Sequence, residues 1–584
     1  MILLRIVVAA VAFVIPAALS AQDADSVIVD AVSFEGNRAI SDRELKLLMF
    51  TRANPWYEIF PGVDVRQFDP AVFRSDVERI LARYEDVGYF EAVVDTVVAR
   101  YRPGFVRIRL RIREGEPVVV SSVRLKVLPG DTWQDSTRLT DALVSRQARP
   151  MTRMGRESDL RKIAEILQND GHAFAGVAVD VAVRDKRADL TYRVTPGPKC
   201  RFGEIRISGN RTVSDDLILR GLTFRTGDAY RKKDLANSRL QLYRSEAFRS
   251  VSVGVPDTAA HTTPVAVSVQ VRERPARSLK LGAGFDTEEQ LRGLLEWRHR
   301  SFLGGGARQL TAESSASALE ARARISVRQP YILGSRTWLE MTGFVEQERP
   351  EEVRVKRAGA SAALERTFRA TGRVVFQVRT EVVDFVFDST RTTLSVEYLE
   401  DRRDDFFDPT RGLLAELAVK ASGYRDFFKV SGECRWYRKM FWRSVIALRV
   451  SGGMILSRRP VEAIPNFERF FAGGAGSVRG WRLNRLGPRD PSDLPVGGLS
   501  HLEGSVEVRT RLFSGLGMAV FADAGNVVAD RFGAFDPGRL QVAAGFGLRY
   551  LNPISPARLD VAFRLSDDPS QPGRQIHFSL GQAF

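Results

Sequence analysis

The chain has 584 residues with two cysteines, 44% hydrophobic and 27% charged, which excludes a disulfide-held miniprotein and a disordered polymer and leaves room for several cores. Its 87 basic against 71 acidic residues give a formal net charge of +16. That balance suits an anionic partner such as nucleic acid, acidic lipid headgroups or lipopolysaccharide, without choosing among them.

The chain opens with Arg5, a continuous apolar run from Ile6 to Leu19, and small residues before Gln22 and Asp23. This pattern predicts a secretory signal peptide over residues 1–21, cleaved after Ala21 or one residue earlier after Ser20. No cysteine follows the leader, which argues against a lipoprotein anchor, and export argues against a nucleic-acid partner. Beyond it no stretch approaches the ~18–20 uninterrupted apolar residues of a spanning helix. The exported protein is therefore expected to be soluble or a β-barrel. Cys200 and Cys434 lie far apart, and no disulfide framework is expected.

Two stretches echo each other, Val32–Ser41 (VSFEGNRAIS) and Ile205–Ser214 (IRISGNRTVS). Each reads as an alternating strand, a Gly-Asn turn, and a serine capping a helix with an acidic first turn. A second echo runs through Leu81–Phe90, Leu167–Phe174 and Leu242–Phe248, each closing an amphipathic helix before a strand. The helical faces are assigned to Val72, Val77, Ile80, Leu81 and Tyr84, and to Leu160, Ile163, Ile166 and Leu167. In Phe105–Arg113, Val106, Ile108, Leu110 and Ile112 share one strand face. The unit is β-α-α-β-β and occurs three times, placed at 27–116, 117–197 and 198–275.

From residue 276 to the end, two-residue alternation replaces helical periodicity. In Ser505–Leu512, Val506, Val508 and Leu512 face one way and Glu507, Arg509 and Arg511 the other; Leu394–Tyr398 and Val374–Arg379 divide similarly. About sixteen strand candidates, an even number, favour a transmembrane barrel with a charged lumen over a soluble sandwich. The last strand, Gln575–Phe584, puts Ile576, Phe578, Leu580 and Phe584 on one face.

Within this half lies Gly473–Trp481 (GGAGSVRGW), a glycine run that first suggests a phosphate cradle. No Lys-Ser or Lys-Thr follows it and the context is strand-loop-strand, so that reading is weak. No nucleophile elbow, zinc helix or paired C-x-x-C is present. The five histidines, His172, His261, His299, His501 and His577, show no ligand spacing and are expected to be ordinary surface or wall residues. No catalytic residue, metal site or cofactor is predicted, and the protein is not expected to be an enzyme.

The repeats, with their "GN-R" turn and "GYF" helix end, resemble POTRA domains, the periplasmic modules that precede outer-membrane barrels. Arg469–Trp481 (RFFAGGAGSVRGW) is similar to the "FFAGG…S-[VI]-R-G-[FYW]" motif of the BamA/TamA superfamily. Asp404–Gly412, Phe521–Asn526, and Gly545–Tyr550 with Pro556–Ala562 are similar to its "DD…PT-R-G", "F-x-D-x-G" and late-barrel motifs. The terminal strand resembles the C-terminal signal by which such barrels are recognised. Together these matches cover nearly the whole chain after the leader.

The resemblance implies α+β POTRA repeats followed by a 16-stranded antiparallel transmembrane β-barrel in the bacterial outer membrane. It further implies that the loop carrying Gly476, Ser477, Val478, Arg479, Gly480 and Trp481 folds into the lumen, its arginine pairing with an acidic wall residue. Strand parity turns Asp523 and Asp560 inward, so Asp523 is the expected partner of Arg479, with Asp560 and Glu507 next. Clients would be unfolded outer-membrane or secreted proteins, recruited in part by sheet-edge addition to the POTRA domains. They would be inserted through a lateral seam between the first strand, with Leu281, Gly282 and Gly284, and the last, with Phe578, Leu580, Gly581 and Phe584. Gly282 is expected to lie opposite Leu580. Three repeats favour the TamA-like branch, which leaves room for an inner-membrane-anchored, periplasm-spanning partner. A BamA-like insertase, a two-partner-secretion transporter, a passive pore or receptor, and a soluble β-rich binding protein are the alternatives.

Overall fold

The computed structural model describes residues 27–53, 67–128, 136–256 and 263–580, except 305, 350–353, 369–370, 386, 424–426, 442, 458–459, 514, 551–556 and 567–571. The predicted leader, His261, Gly581 and Phe584 lie outside the described residues. The chain divides into two compact bodies. One comprises residues up to Cys200 with Ala229–Lys232, and the other Arg201–Asp228 with Lys233–Phe584.

The first and third repeats are built on their Gly-Asn turns. Gly36 and Gly209 take φ of +87° and +89°, and a Cβ there would lie 2.3 and 2.0 Å from the carbonyl oxygens of Ile112 and Val271, so both conformation and space require glycine. The following amide of Asn37 donates to the Ile40 carbonyl (2.9 Å) and the Asp42 carboxylate (2.8 Å). Asn210 repeats the arrangement with Val213 (2.9 Å) and Asp215 (2.7 Å). Ser41 and Ser214 then cap helices Asp42–Leu48 and Asp215–Gly221 by accepting from the amides of Glu44 and Leu217.

The three sheets share one order. β1 (Ile28–Glu35) runs parallel to β3 (Phe105–Arg113), which pairs antiparallel with β2 (Val93–Arg102). β4 (Val119–Val127), β5 (Gly176–Arg184) and β6 (Arg187–Thr195) repeat this as β4-β6-β5, and β7 (Phe202–Ser208), β8 (Phe248–Gly254) and β9 (Val265–Glu273) as β7-β9-β8. The alternation of β3 buries Val106, Ile108, Leu110 and Ile112 against the helices. On helix Pro70–Asp86, Ile80 and Tyr84 are buried and Val77 packs on the core, but Val72 is exposed and Phe73 takes its place inside. The two neighbours are both apolar, and the phase of the helix decides between them. His172 is also corrected: it lies fully buried in the second unit, its Nδ1 2.7 Å from the Gly197 carbonyl.

A carboxylate at the end of the middle strand completes the first and third turns. Glu114 accepts from the amides of Arg38 (2.7 Å) and Ala39 (2.8 Å). Glu273 accepts from those of Arg211 (2.8 Å), Thr212 (2.9 Å) and Val213 (2.9 Å), and from the Thr212 hydroxyl (2.6 Å). Burial alone would raise the Glu273 carboxyl, but the Thr212 hydroxyl and these amides hold it below the ordinary glutamate range. A depressed carboxyl adds stability that is complete above its unfolded pKa and vanishes as pH falls through the folded value. Glu273→Gln should therefore destabilise the third unit by about 1–2 kcal/mol near neutral pH. It should also reduce the acid sensitivity of that unit below about pH 4.3. Hydrogen exchange of β7–β9 amides in the detergent-solubilised full chain reads both effects.

The second half closes into a sixteen-stranded antiparallel barrel, from β10 (Arg277–Asp286) to β25 (Arg574–Leu580). Closure gives each strand partners on both sides, as hydrocarbon surroundings require. Leu281, Val520 and Phe546 are 73%, 54% and 52% exposed on the outer wall, while Glu507, Asp523 and Asp560 are buried on the inner one. The DDFFDPTRG stretch is the turn between β17 (Phe387–Asp401) and β18 (Gly412–Ser422). Asp404 there accepts from the Thr410 and Arg411 amides (2.8 and 3.0 Å) and the Thr410 hydroxyl, which together hold its carboxyl far below the usual range.

The third unit is fastened to the barrel's early strands. The Tyr331 hydroxyl donates to the Gln241 carbonyl (2.9 Å), Gln309 Nε2 donates to the Ser245 carbonyl (2.6 Å), and Glu246 pairs with Arg298. Tyr331 and Gln309 are buried in this joint.

Candidate functional site

The connection between β20 (Ser444–Ser457) and β21 (Ser500–Phe513) is the sixth hairpin loop on its side of the barrel, and it turns into the lumen. Isolated bridges Phe470–Gly498 and Ala472–Leu486 hold it as a folded insert. Its Ile464, Phe470, Val478, Trp481 and Leu486 form one buried cluster with wall residues Phe427, Ile455, Val527 and Ala543. Trp481 is 1% exposed, so the aromatic at the end of the motif is a packing anchor.

The wall is thinned where the loop touches it. A Cβ on Gly525 would come 2.7 Å from Val478 Cγ2, one on Gly480 2.6 Å from Ala543 Cβ, and one on Gly547 1.9 Å from Asp560 Oδ1. These glycines, in the sequence motifs of both loop and strand, leave the space that the ion cluster occupies.

Arg479, 3% exposed, is the centre of that cluster. Its Nε and Nη2 donate to the two oxygens of Asp523, each at 2.7 Å, the forked geometry a guanidinium allows. Nη1 donates to Glu507 at 2.6 Å and approaches Asp560 at 3.4 Å, and its own amide donates to Asp523 at 3.2 Å. The guanidinium carbon lies 3.3 Å from the centroid of the Phe521 ring, an added cation–π contact. Ser505 donates to Asp523 (2.7 Å), Arg509 to Glu507 (2.7 Å) and Arg558 to Asp560 (2.6 Å); Arg549 also pairs with Asp560. Every acid here has a cation, which buried charge demands. The three acids come from three strands, β21, β22 (Leu516–Val528) and β24 (Ala557–Arg564), so one arginine joins them across the wall.

A second anchor of opposite sign was not foreseen from the sequence. Glu468, 2% exposed, sits at the start of the motif and pairs with Arg391 of β17 and with Lys420 of β18 (2.8 Å). Lys429 of β19 (Phe427–Lys439) donates to its backbone carbonyl at 2.8 Å. Inward parity of the three cations was readable, but nothing in the chain marked which loop acid would meet them. The loop is thus fixed by a cation against one side of the lumen and by an anion against another.

At the seam, Phe285 pairs with Leu580 and Asp286 with Ser579, and the Thr287 amide donates to the Phe578 carbonyl at 2.9 Å. On its other side β10 pairs with β11 (Gln290–His299) along its whole length, from Arg277 to Asp286. Leu281 faces outward, while Gly282 and Gly284 are on the lumen side opposite Leu294 and Arg292 of β11. The expected pairing of Gly282 with Leu580 is not found: Leu580 lies across from Phe285, three residues further along. The stagger of a closed barrel sets that offset, and alternation within either strand carries no trace of it. His577 and Glu288, also unforeseen as site residues, approach each other across this seam, with His577 Nδ1 3.2 Å from Glu288 Oε1.

Comparison with known proteins agrees with this geometry. The Omp85 superfamily domain matches residues 302–584, and the POTRA family, described as a surface antigen variable number repeat, matches 27–115 and 200–274. The outer membrane protein assembly factor BamA of Neisseria meningitidis serogroup B is 22% identical, the alignment covering 97% of this chain and 79% of that protein. BamA of Neorickettsia risticii gives the same identity and the same coverage of each chain. The crystal structure of Haemophilus ducreyi BamA lacking POTRA domains 1–3 shares the fold, with a TM-score of 0.60 at 18% identity over 80% of this chain and 100% of that one. With its three β-α-α-β-β units, sixteen-stranded barrel and arginine-locked lumen loop, the chain belongs to the Omp85, or BamA/TamA, superfamily of outer-membrane proteins, its POTRA domains in the periplasm.

Proposed function

We propose that the protein is an assembly or translocation factor of the TamA-like kind. It receives unfolded outer-membrane or secreted polypeptides on its POTRA domains and inserts them through the seam between β10 and β25, without catalysing a covalent reaction and without nucleotide. The observation that carries this reading is that the barrel closes by an edge-to-edge junction of its first and last strands, β10 meeting β25 at Phe285–Leu580 and Asp286–Ser579. A strand edge at such a junction can exchange its partner for a client strand, replacing hydrogen bonds instead of leaving them bare in hydrocarbon. The relatives named as assembly factors support the same reading. The buried loop filling the lumen speaks against a passive pore. An inner-membrane-anchored, periplasm-spanning partner for the POTRA arm belongs to this proposal.

Reconstitution tests it. Liposomes holding the full-length protein should fold an added urea-denatured outer-membrane barrel, read as its heat-modifiable band, at least about tenfold faster than empty liposomes. Ion conductance without such acceleration would establish a pore instead.

A further inference from the structure

Among the described residues of the last strand, His577 reaches both the lumen loop and the opposite bank of the seam. It is 5% exposed, with Nε2 2.9 Å from the Arg479 carbonyl oxygen and Nδ1 3.2 Å from Glu288 Oε1. That same Glu288 oxygen accepts from the Ala475 amide at 2.7 Å. Glu288 sits in the turn between β10 and β11, where the β10–β25 register, carried past Asp286, places it directly across from His577. Next to them the Thr287 hydroxyl accepts from the Phe578 amide at 3.3 Å. A closed ring results: last strand to loop, loop to first turn, first turn to last strand.

Both partners of the imidazole are acceptors. A neutral ring has one N–H and one lone pair, so it can satisfy only one of them, whereas the doubly protonated ring donates to both. Other charges facing this point are Asp560, the register neighbour of His577 on β24, with Arg549 and Arg558 paired to it, and Arg479 of the loop.

Resting on the lateral-opening reading above, we infer that His577 and Glu288 are positioning residues that clasp the lumen loop to both banks of the seam, so that opening requires the clasp to break. It also ties the state of the Arg479 loop to the state of the gate.

The test uses the full chain in a Cys200→Ser, Cys434→Ser background, with nitroxide labels on Phe285→Cys and Leu580→Cys, the outward register pair. Dipolar broadening of the spectrum measures the fraction of closed seams. The parent should be mostly broadened, and His577→Phe and the nearly isosteric Glu288→Gln should each lose at least about twofold of that fraction as the contacts of the clasp are removed or weakened. Heat-modifiable migration establishes that each barrel has folded, and if His577→Phe does not fold, Glu288→Gln decides alone. Equal broadening in the parent and Glu288→Gln overturns the inference. The readout uses no client, so a failure of the insertion proposal leaves this result standing on its own.

Discussion

Replacing Arg479 with alanine should nearly abolish client insertion while leaving the chain exported and the barrel assembled. The substitution leaves Asp523, Glu507 and Asp560 facing one another in a buried lumen with one cation fewer, and loses the stacking on Phe521. Removing one member of a buried ion cluster costs about 3–5 kcal/mol, because the remaining charges stay desolvated. That exceeds what the loop's polar contacts at this point can offset, so the loop should leave the wall. Its residues 473–481 should become sensitive to protease, and the insertion rate should fall by about a hundredfold or more. Lysine at this position keeps the charge but cannot span both oxygens of Asp523 and reach Glu507, and should fall between. In the Arg479→Ala, Asp523→Asn double variant the unpaired acid is neutral, so the combined loss should be smaller than the sum of the single losses. Strict additivity would show that the two side chains act independently.

Joining the seam covalently should have an effect of similar size through a different route. Cysteines at Phe285 and Leu580 lie in register and project to the same face, so oxidation should bridge them readily once Cys200 and Cys434 are serines. The oxidised protein should insert no client above the background of empty liposomes, and reduction should restore the rate. Cysteines at Gly282 and Leu580 should bridge poorly, since Gly282 stands three residues away from the position opposite Leu580. A fully bridged seam that still inserts clients would exclude passage between β10 and β25.

How much of this was legible in the sequence follows from the range of each interaction. The first and third POTRA units are readable because their marks are local: a Gly-Asn turn, a serine cap four residues after the asparagine and a strand with alternating faces. The inward direction of Asp523, Glu507 and Asp560 followed from parity along single strands, and the structure brings all three to Arg479. What one strand cannot encode is its offset against a strand three hundred residues away, which is why Gly282 was set against Leu580. Glu468 was hidden for a related reason. It neighbours the motif, but its partners Arg391, Lys420 and Lys429 lie on three strands whose common focus exists only after the cylinder closes. His577 carried no ligand spacing, and its significance lies in a carbonyl and a carboxylate supplied from elsewhere.

The joint made by Tyr331, Gln309 and Glu246 gives the two banks of the seam different mechanical ties. Its barrel contacts fall on strands and turns just downstream of β10, whereas β25 is steadied by the lumen insert through His577. A pull on the third POTRA domain therefore loads the leading bank first. The trailing bank stays moored to the lumen loop, and the strain concentrates at the seam between them.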